Sequence, residues 1–275
     1  ASDRNSRLNH THRRAIDLNI QLSPPYPGES CSCGVNPVVM SRESDLHRLY
    51  RLLADLEDRI GGKQRLGNCT GYMDWPERGV YFFFSHDEHI DTGDQHRLTR
   101  IGTHAVSAGS GTSLWNRLRT HRGANSGTYG GGGNHRGSVF RKRVGEALIE
   151  RHGLHGEYPY WGEGSSADRD RRLDEHEHEQ RVSERIRNLP FLWVDVNDEP
   201  GPDSDRAYIE RNAIALVSNF EKDPLGGRDG DWLGKESPKH EIQGAGLWNN
   251  DHVAEDYDPA FLDRVAEAVE NTTPV

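Results

Sequence analysis

The stretch that decides the fold is GVYFFFSHDEHIDTGDQHRLTRIGTHA, residues 79–105. Residues 79–84 are aromatic or β-branched after the initial glycine, which predicts a buried strand. Residues 97–105 mix apolar and polar side chains until Gly102 interrupts the pattern, and they predict the partner strand of a hairpin. The acidic residues between these two runs are expected to form an exposed loop.

Helical periodicity surrounds this hairpin. Upstream, leucines recur at three- and four-residue steps between Ser44, the expected N-cap, and Gly61, which should end the helix. Downstream, helices are expected to begin at Thr112 or Ser113 and at Ser138. The predicted elements are helix 41–62, strand 79–84, strand 97–105, helix 112–121, helix 138–151, strand 191–196, helix 204–220 and helix 256–270.

This order of elements predicts an α/β fold of the α+β kind. We expect a small three-stranded sheet, mixed or antiparallel, which is flanked by helices and preceded by an N-terminal helical extension. The expected domains are an N-terminal arm with its helix (1–76), a central domain (77–250) and a C-terminal helix that packs on it (251–275).

Three segments lack a regular apolar pattern. Residues 1–40 predict an irregular arm, and the glycine-dense stretch 122–137 predicts a mobile surface loop. Residues 163–187 predict a charged insertion that forms an exposed connector or a solvated helix. The EHEHE run inside it (175–179) could bind a metal ion, but its two histidines would point to different helix faces, which favours a solvated segment.

Charge is unevenly distributed along the chain. The 275 residues carry a formal net charge of -10, yet residues 97–151 contain ten basic and two acidic residues, a local balance of +8 against -18 elsewhere. This asymmetry is typical of a confined phosphate-binding face rather than of general adhesion to nucleic acids.

Several classes of protein are disfavoured. The sequence has no run of about 18 apolar residues that would predict a membrane span, and residues 1–30 lack the apolar core of a signal peptide, so we expect a cytoplasmic protein. Cys31, Cys33 and Cys69 match neither a disulfide framework nor paired zinc knuckles. The run GSGTS (109–113) lacks the lysine of a nucleotide-binding phosphate loop.

Short motifs occur in order on the predicted elements. They are Gly79-Val80-Tyr81 and Arg100-Ile101-Gly102 on the two strands, Arg117 with His121 at four-residue spacing, Glu210 in a later helix, and Asn249. Together they resemble the GIY-YIG nuclease family over residues 77–250. The resemblance implies a metal-dependent endonuclease that hydrolyses phosphodiester bonds in double-stranded DNA.

The resemblance also implies a role for each motif residue. Tyr81 would act as a general base or orient the attacking water, Arg117 would clamp the scissile phosphate, and His121 would assist proton transfer or bind phosphate. A tyrosine needs nearby positive charge to act as a base at neutral pH, and Arg100 would supply it. Glu210 would anchor one divalent cation, Mg²⁺ or Mn²⁺.

Further residues are assigned by position. Asn249 corresponds to the family's late asparagine, and the adjacent Asn250 is the alternative.

A homodimer would allow two cuts on opposite strands. Additional DNA contacts are expected from Arg119, Arg122, His135, Ser138 and Arg141.

Each motif residue also has a structural alternative. Tyr81 could simply pack in a core. Arg117 and His121 could lie on a solvated helix face, and Glu210 could pair with Arg206 at the surface.

Arg100 is a departure from the family pattern. The second tripeptide usually begins with tyrosine, and arginine cannot act as a base because it stays protonated. The alternative function is therefore a catalytically inactive DNA-binding module. A third alternative is a structural or protein-interaction domain without affinity for nucleic acid.

Overall fold

The computed structural model describes residues 41–89, 95–226 and 231–275. The predicted arm, with Cys31 and Cys33, lies outside the described residues. The helices are α1 (Arg42–Ile60), α2 (Leu114–Arg122), α3 (Val139–His152), α4 (Arg169–Asp174), α5 (His176–Asn188), α6 (Asp205–Val217), α7 (His240–Ala245) and α8 (Phe261–Asn271). The strands are β1 (Gln64–Arg65), β2 (Gly79–His89), β3 (His96–Gly102) and β4 (Pro190–Asp195).

The described strands form one four-stranded sheet in the order β1-β4-β2-β3. Every neighbouring pair is antiparallel, so the mixed arrangement is wrong. The prediction of three strands missed β1, which pairs Gln64 with Phe191. A two-residue strand is too short to show periodicity, which is why the sequence did not reveal it.

The predicted hairpin occupies one side of this sheet. Tyr81 pairs with Gly102 and Phe83 pairs with Arg100, so all four residues belong to the same face because strand side chains alternate. The first arm is longer than expected, since β2 continues to His89, whereas the second ends at Gly102 and not at residue 105. Part of the predicted exposed loop is therefore strand, and residues 90–94 lie outside the described residues.

Helix starts follow the hydroxyl caps in most cases. Ser113 and Ser138 accept hydrogen bonds from the first turns of α2 and α3, as predicted. The cap of α1 is Ser41 and not Ser44, whose backbone N–H donates to the Ser41 Oγ over 3.2 Å. Gly61 ends α1 with φ 79°, a left-handed conformation that favours glycine.

The charged segment 163–187 is not an exposed connector. It contains α4 and most of α5, and α5 packs against α3. The EHEHE run contributes two buried residues to α5, His178 and Glu179. Among the described residues, no group of three metal-ligating side chains occurs. The buried side of α5 consists of His178, Glu179, Val182, Ser183 and Ile186.

The glycine-dense segment folds back on itself instead of standing clear of the surface. Ala124 N donates to Gly132 O over 2.8 Å, and Gly131 N donates to Ala124 O over 2.9 Å. Gly132 is buried. The expectation of a surface loop therefore fits only the tip of this segment, residues 125–128, which is exposed.

The remaining helices close the unit around the sheet. α1 and α8 pack on each other and on β4, and α6 contacts β2 and β3. Met40–Val275 thus form one compact unit, and the finer division at residues 76 and 250 stays a prediction. Among the described helices, none combines the length and apolar content needed to cross a membrane.

Candidate active site

The glycines of the two tripeptides are required by close approaches. A Cβ on Gly102 would overlap the hydroxyl of Tyr81, which lies across the end of β3. A Cβ on Gly79 would overlap the carbonyl oxygen of Val194 on β4 and crowd Leu114 at the start of α2. Only glycine lets the strands, the tyrosine ring and α2 approach this closely.

A chain of hydrogen bonds runs inward from Tyr81. The Tyr81 hydroxyl lies 2.8 Å from His121 Nε2, and His121 Nδ1 lies 2.7 Å from Ser138 Oγ. The Ser138 Oγ also accepts from Arg141 N over 3.2 Å as the cap of α3. Tyr81, His121 and Ser138 are all at most 1 % exposed.

The His121 imidazole is neutral in this setting. Burial lowers the pKa of His121 well below its usual value. Three positive charges lower this pKa further: Arg117, Arg100 and Arg141. A neutral imidazole has one N–H and one bare nitrogen, so it can donate to one neighbour and accept from the other.

Arg100 and Asn249 hold the outer edge of β3. Arg100 Nη1 donates to Trp248 O over 2.8 Å. The Asn249 amide brackets Ile101, accepting from its N–H at 3.1 Å and donating to its C=O at 2.9 Å. Asn250 instead donates to the side chain of Asp251. Asn249 is therefore the asparagine that supports the second tripeptide.

Glu210 projects from α6 toward the end of β3. Its Oε1 accepts from Thr103 N over 3.1 Å. Burial raises the pKa of the Glu210 carboxyl above its usual value. The opposing contributions come from Arg100, the Thr103 N–H, His252 and Arg117. The structural alternative for Glu210, a surface pair with Arg206, does not form, because Arg206 pairs with Asp198.

Arg117 lies at the rim of the same cluster. Its Nη1 reaches Gly137 O at 3.5 Å, and its buried Nε has no hydrogen-bond partner among the described residues. Arg117 and Arg100 both act electrostatically on His121 and on Glu210. The structure thus brings together a tyrosine, a neutral histidine, two arginines and a carboxylate in the order of motifs found in the sequence.

This arrangement agrees with a comparison at the level of families. The family model for the GIY-YIG domain matches residues 40–275. The chain belongs to the GIY-YIG family. No curated protein and no solved structure gives a significant match.

Most of the residues predicted to contact DNA are buried in the interior of this GIY-YIG domain. Arg119 is exposed. Arg122 is 8 % exposed and donates to Cys69 O over 2.5 Å while its guanidinium lies over the Trp115 ring. The remaining three are at most 1 % exposed, which leaves no surface for a direct DNA contact in this structure: His135, Ser138 and Arg141.

Arg141 belongs to a buried network that the sequence did not reveal. It donates to Glu179 Oε2 over 3.0 Å and to His121 O over 2.8 Å. Burial pushes the pKa of Glu179 upward, but hydrogen bonds from His135 and the charge of Arg141 outweigh it and lower the pKa to about 2. Because Arg141 holds the His121 backbone and Ser138 holds its ring, this network positions the site histidine.

Four of the ten basic residues in the segment 97–151 are neutralised by ion pairs within the described protein. These ion pairs are Arg97–Glu88, Arg136–Glu175, Arg141–Glu179 and Arg143–Glu146. Arg100, Arg117 and Arg119 form no ion pair with any described residue. The positive face is therefore narrower than the local charge of +8 indicates.

Two buried histidines predict a loss of stability in acid. Burial is the main cause that lowers the pKa of His178 and His104 to about 4. The unfolded chain takes up protons at these positions near pH 6.5, so the free energy of unfolding should fall as the pH drops from about 6.5 to about 4. The expected slope is up to ~1.4 kcal/mol per pH unit for each histidine.

The variant His178→Gln should flatten the profile of Tm against pH between about pH 7 and pH 5. In the wild type, the Gly145 carbonyl accepts from His178 Nε2 over 3.0 Å. The glutamine amide of the variant can still donate to this carbonyl. His155→Gln is the control because His155 is exposed, and it should follow the wild-type profile. A His178→Gln profile as steep as that of the wild type would contradict this origin of acid sensitivity.

Proposed function

We propose that this GIY-YIG domain is a metal-dependent endonuclease that hydrolyses phosphodiester bonds in double-stranded DNA. The observation that carries the proposal is the hydrogen bond between the Tyr81 hydroxyl and the neutral His121, beside two arginines without ion-pair partners. Hydrolysis needs a proton acceptor for the attacking water and positive charge for the developing phosphorane. This cluster supplies both.

The proton path follows from the hydrogen bonds. If His121 Nδ1–H donates to Ser138, Nε2 is free to accept the hydroxyl proton of Tyr81 once the negative charge of a bound phosphate opposes the arginines that lower the pKa of His121. Tyr81 would then take a proton from the attacking water as it passes its own to His121. The water oxygen forms the new P–O bond, the bond to the leaving oxygen breaks, and that oxygen takes a proton from solvent. Arg117 would offset the negative charge on the phosphate.

The residues present fit a single Mg²⁺ or Mn²⁺ ion. Mg²⁺ commonly binds one or two carboxylates and keeps waters or substrate phosphates as its other ligands. Glu210 is a single carboxylate, and within the described chain only its Oε1 accepts a hydrogen bond. Such an ion would supply charge to polarise the phosphate.

A specific observation favours a second candidate, a catalytically inactive DNA-binding module. Tyr81 has no exposed surface, so attack by water requires an opening at the rim of the site when DNA binds. Arg100 also stands where the family usually has tyrosine. This candidate predicts DNA binding without cleavage.

Cleavage of supercoiled plasmid by the purified protein tests the proposal. We expect nicked or linear product with Mg²⁺ or Mn²⁺ and none with EDTA. Linear product at low turnover would support a homodimer that cuts both strands. DNA binding without product under any divalent metal would overturn the proposal in favour of the inactive module.

The metal assignment has its own variant. Glu210→Gln should raise the Mg²⁺ concentration required for half-maximal cleavage by at least about tenfold, because changes even in groups that only support a metal ligand have effects of this size. Glu270→Gln is the matched control, since Glu270 is exposed at the end of α8. An unchanged Mg²⁺ requirement in Glu210→Gln would remove Glu210 as the anchor.

A further inference from the structure

A groove of about 480 Å³ lies beside α2. We call it the arginine groove. Its lining comes from three parts of the chain that are distant in sequence: α2, the glycine-dense segment and α4. The side chains and backbone that matter here are Arg119, Thr120, Tyr129, Gly133, Gly137 and Arg172.

Three arginines line the groove: Arg119, Arg172, and Arg122, which is held by the Cys69 carbonyl and the Trp115 ring. Arg119 and Arg172 make no ion pair with any described residue, and no carboxylate lines the groove. They differ in this from four arginines of the segment 97–151, which are paired with acids: Arg97, Arg136, Arg141 and Arg143. In a protein of net charge -10, such a spot attracts anions selectively.

Arg172 is held in place before any ligand arrives. Its guanidinium lies 3.8 Å from the centre of the Tyr129 ring, a cation–π contact that holds the group over the ring. Tyr129 comes from the glycine-dense segment and Arg172 from α4. A fixed guanidinium loses less conformational entropy on binding a phosphate than a free one does.

The groove is continuous with the candidate active site. Gly137 lines the groove, and its carbonyl is the group that Arg117 Nη1 reaches at 3.5 Å. Thr120 lines it as well, one residue before His121. A strand whose phosphate lies at Arg117 would therefore have its neighbouring phosphates at this groove.

We propose that the arginine groove binds the sugar-phosphate backbone of the DNA strand next to the scissile phosphate. The proposal rests on the proposed function, since it takes DNA as the substrate. Arg119 and Arg172 contact successive phosphates, and the glycine-dense segment and α4 act together as a clamp on the strand.

The test is the affinity for a DNA duplex in EDTA, measured by fluorescence anisotropy over a series of salt concentrations. Arg172→Gln should weaken binding roughly tenfold and reduce the slope of log K against log salt by about 0.9, the value for one lost phosphate contact. Arg119→Gln should have a similar effect. The double variant should lose about twice as much of the slope.

Arg169→Gln is the matched control. It removes the same charge from the same helix at an exposed position outside the groove, and it should stay close to the wild type. If Arg172→Gln and Arg169→Gln weaken binding equally, or neither does while the wild type binds and cuts, the groove proposal alone is overturned. If the wild type binds no DNA, the proposed function fails and the groove proposal fails with it.

Discussion

Tyr81→Phe is expected to reduce the rate of DNA cleavage about 10²–10⁴-fold, the range for loss of a positioned general base. The change removes one oxygen atom and keeps the ring that packs against Phe83 and His121. DNA affinity should stay nearly unchanged, because Tyr81 is buried and the phosphate contacts belong to other residues. Single-turnover cleavage and anisotropy together measure the two quantities.

Tyr50→Phe is the matched control for this variant. Its hydroxyl accepts from Leu98 N of β3 over 2.9 Å, so the change also removes a buried tyrosine hydrogen bond, but one that does not involve His121. It should cost about 1 kcal/mol of stability and leave cleavage close to the wild type. Equal losses of activity in both variants would mean that Tyr81 supports the fold and takes no part in proton transfer.

The hairpin and its motifs could be predicted from the sequence because their signals are local. A continuous aromatic and β-branched run marks the first strand, and a mixed apolar and polar run that Gly102 interrupts marks the second. The structure confirms the hairpin, in which Tyr81 pairs with Gly102. Arg117 and His121, four residues apart, both lie in α2, although only His121 is fully buried.

The role of α5 could not be predicted because its inward residues are polar. A pattern search counts His178, Glu179 and Ser183 as solvated, yet each is at most 3 % exposed. Their partners lie on α3 and on the loop before it, so burial depends on pairs such as Glu179 with Arg141, 38 residues apart. The three- and four-residue steps between the buried positions of α5 were the available signal.

The same dependence on distant partners explains why several residues predicted to contact DNA are buried. Sequence gives the charge of a side chain but not its direction. Arg141 and Arg122 are arginines like Arg119, but their guanidinium groups donate to Glu179 and to the Cys69 carbonyl. Such pairing between distant residues is decided by the tertiary fold.

Glu179→Gln is expected to lower the free energy of unfolding by about 3–5 kcal/mol, the usual effect of removing one partner of a buried ion pair. Arg141 has no exposed surface, so its charge would remain in the interior without a counter-charge. The lowered pKa of Glu179 agrees with this stabilising role of its charge. A carboxyl whose folded pKa is about 2 stabilises the folded state above about pH 4.5, and this stability is lost as the pH falls toward 2.

A control lies in the same EHEHE run. Glu177 pairs with Arg181 at 2.6 Å, but both side chains are well exposed, so Glu177→Gln should change the free energy of unfolding by about 0.5 kcal/mol or less. Urea denaturation measures both variants. Equal shifts of the unfolding midpoint would contradict the role assigned to the buried network.

The Arg141–Glu179 pair has two roles, stabilising the fold and positioning His121. Removing both charges separates these roles. The double variant Arg141→Met with Glu179→Leu leaves no unpaired ion, so it should regain much of the stability that Glu179→Gln loses. It cannot restore the hydrogen bond from Arg141 Nη1 to the His121 carbonyl. Cleavage should therefore stay below the wild type even where the fold has recovered, because the ring that takes the Tyr81 proton has lost one of its two supports. Full recovery of both stability and cleavage would show that the network only stabilises the fold.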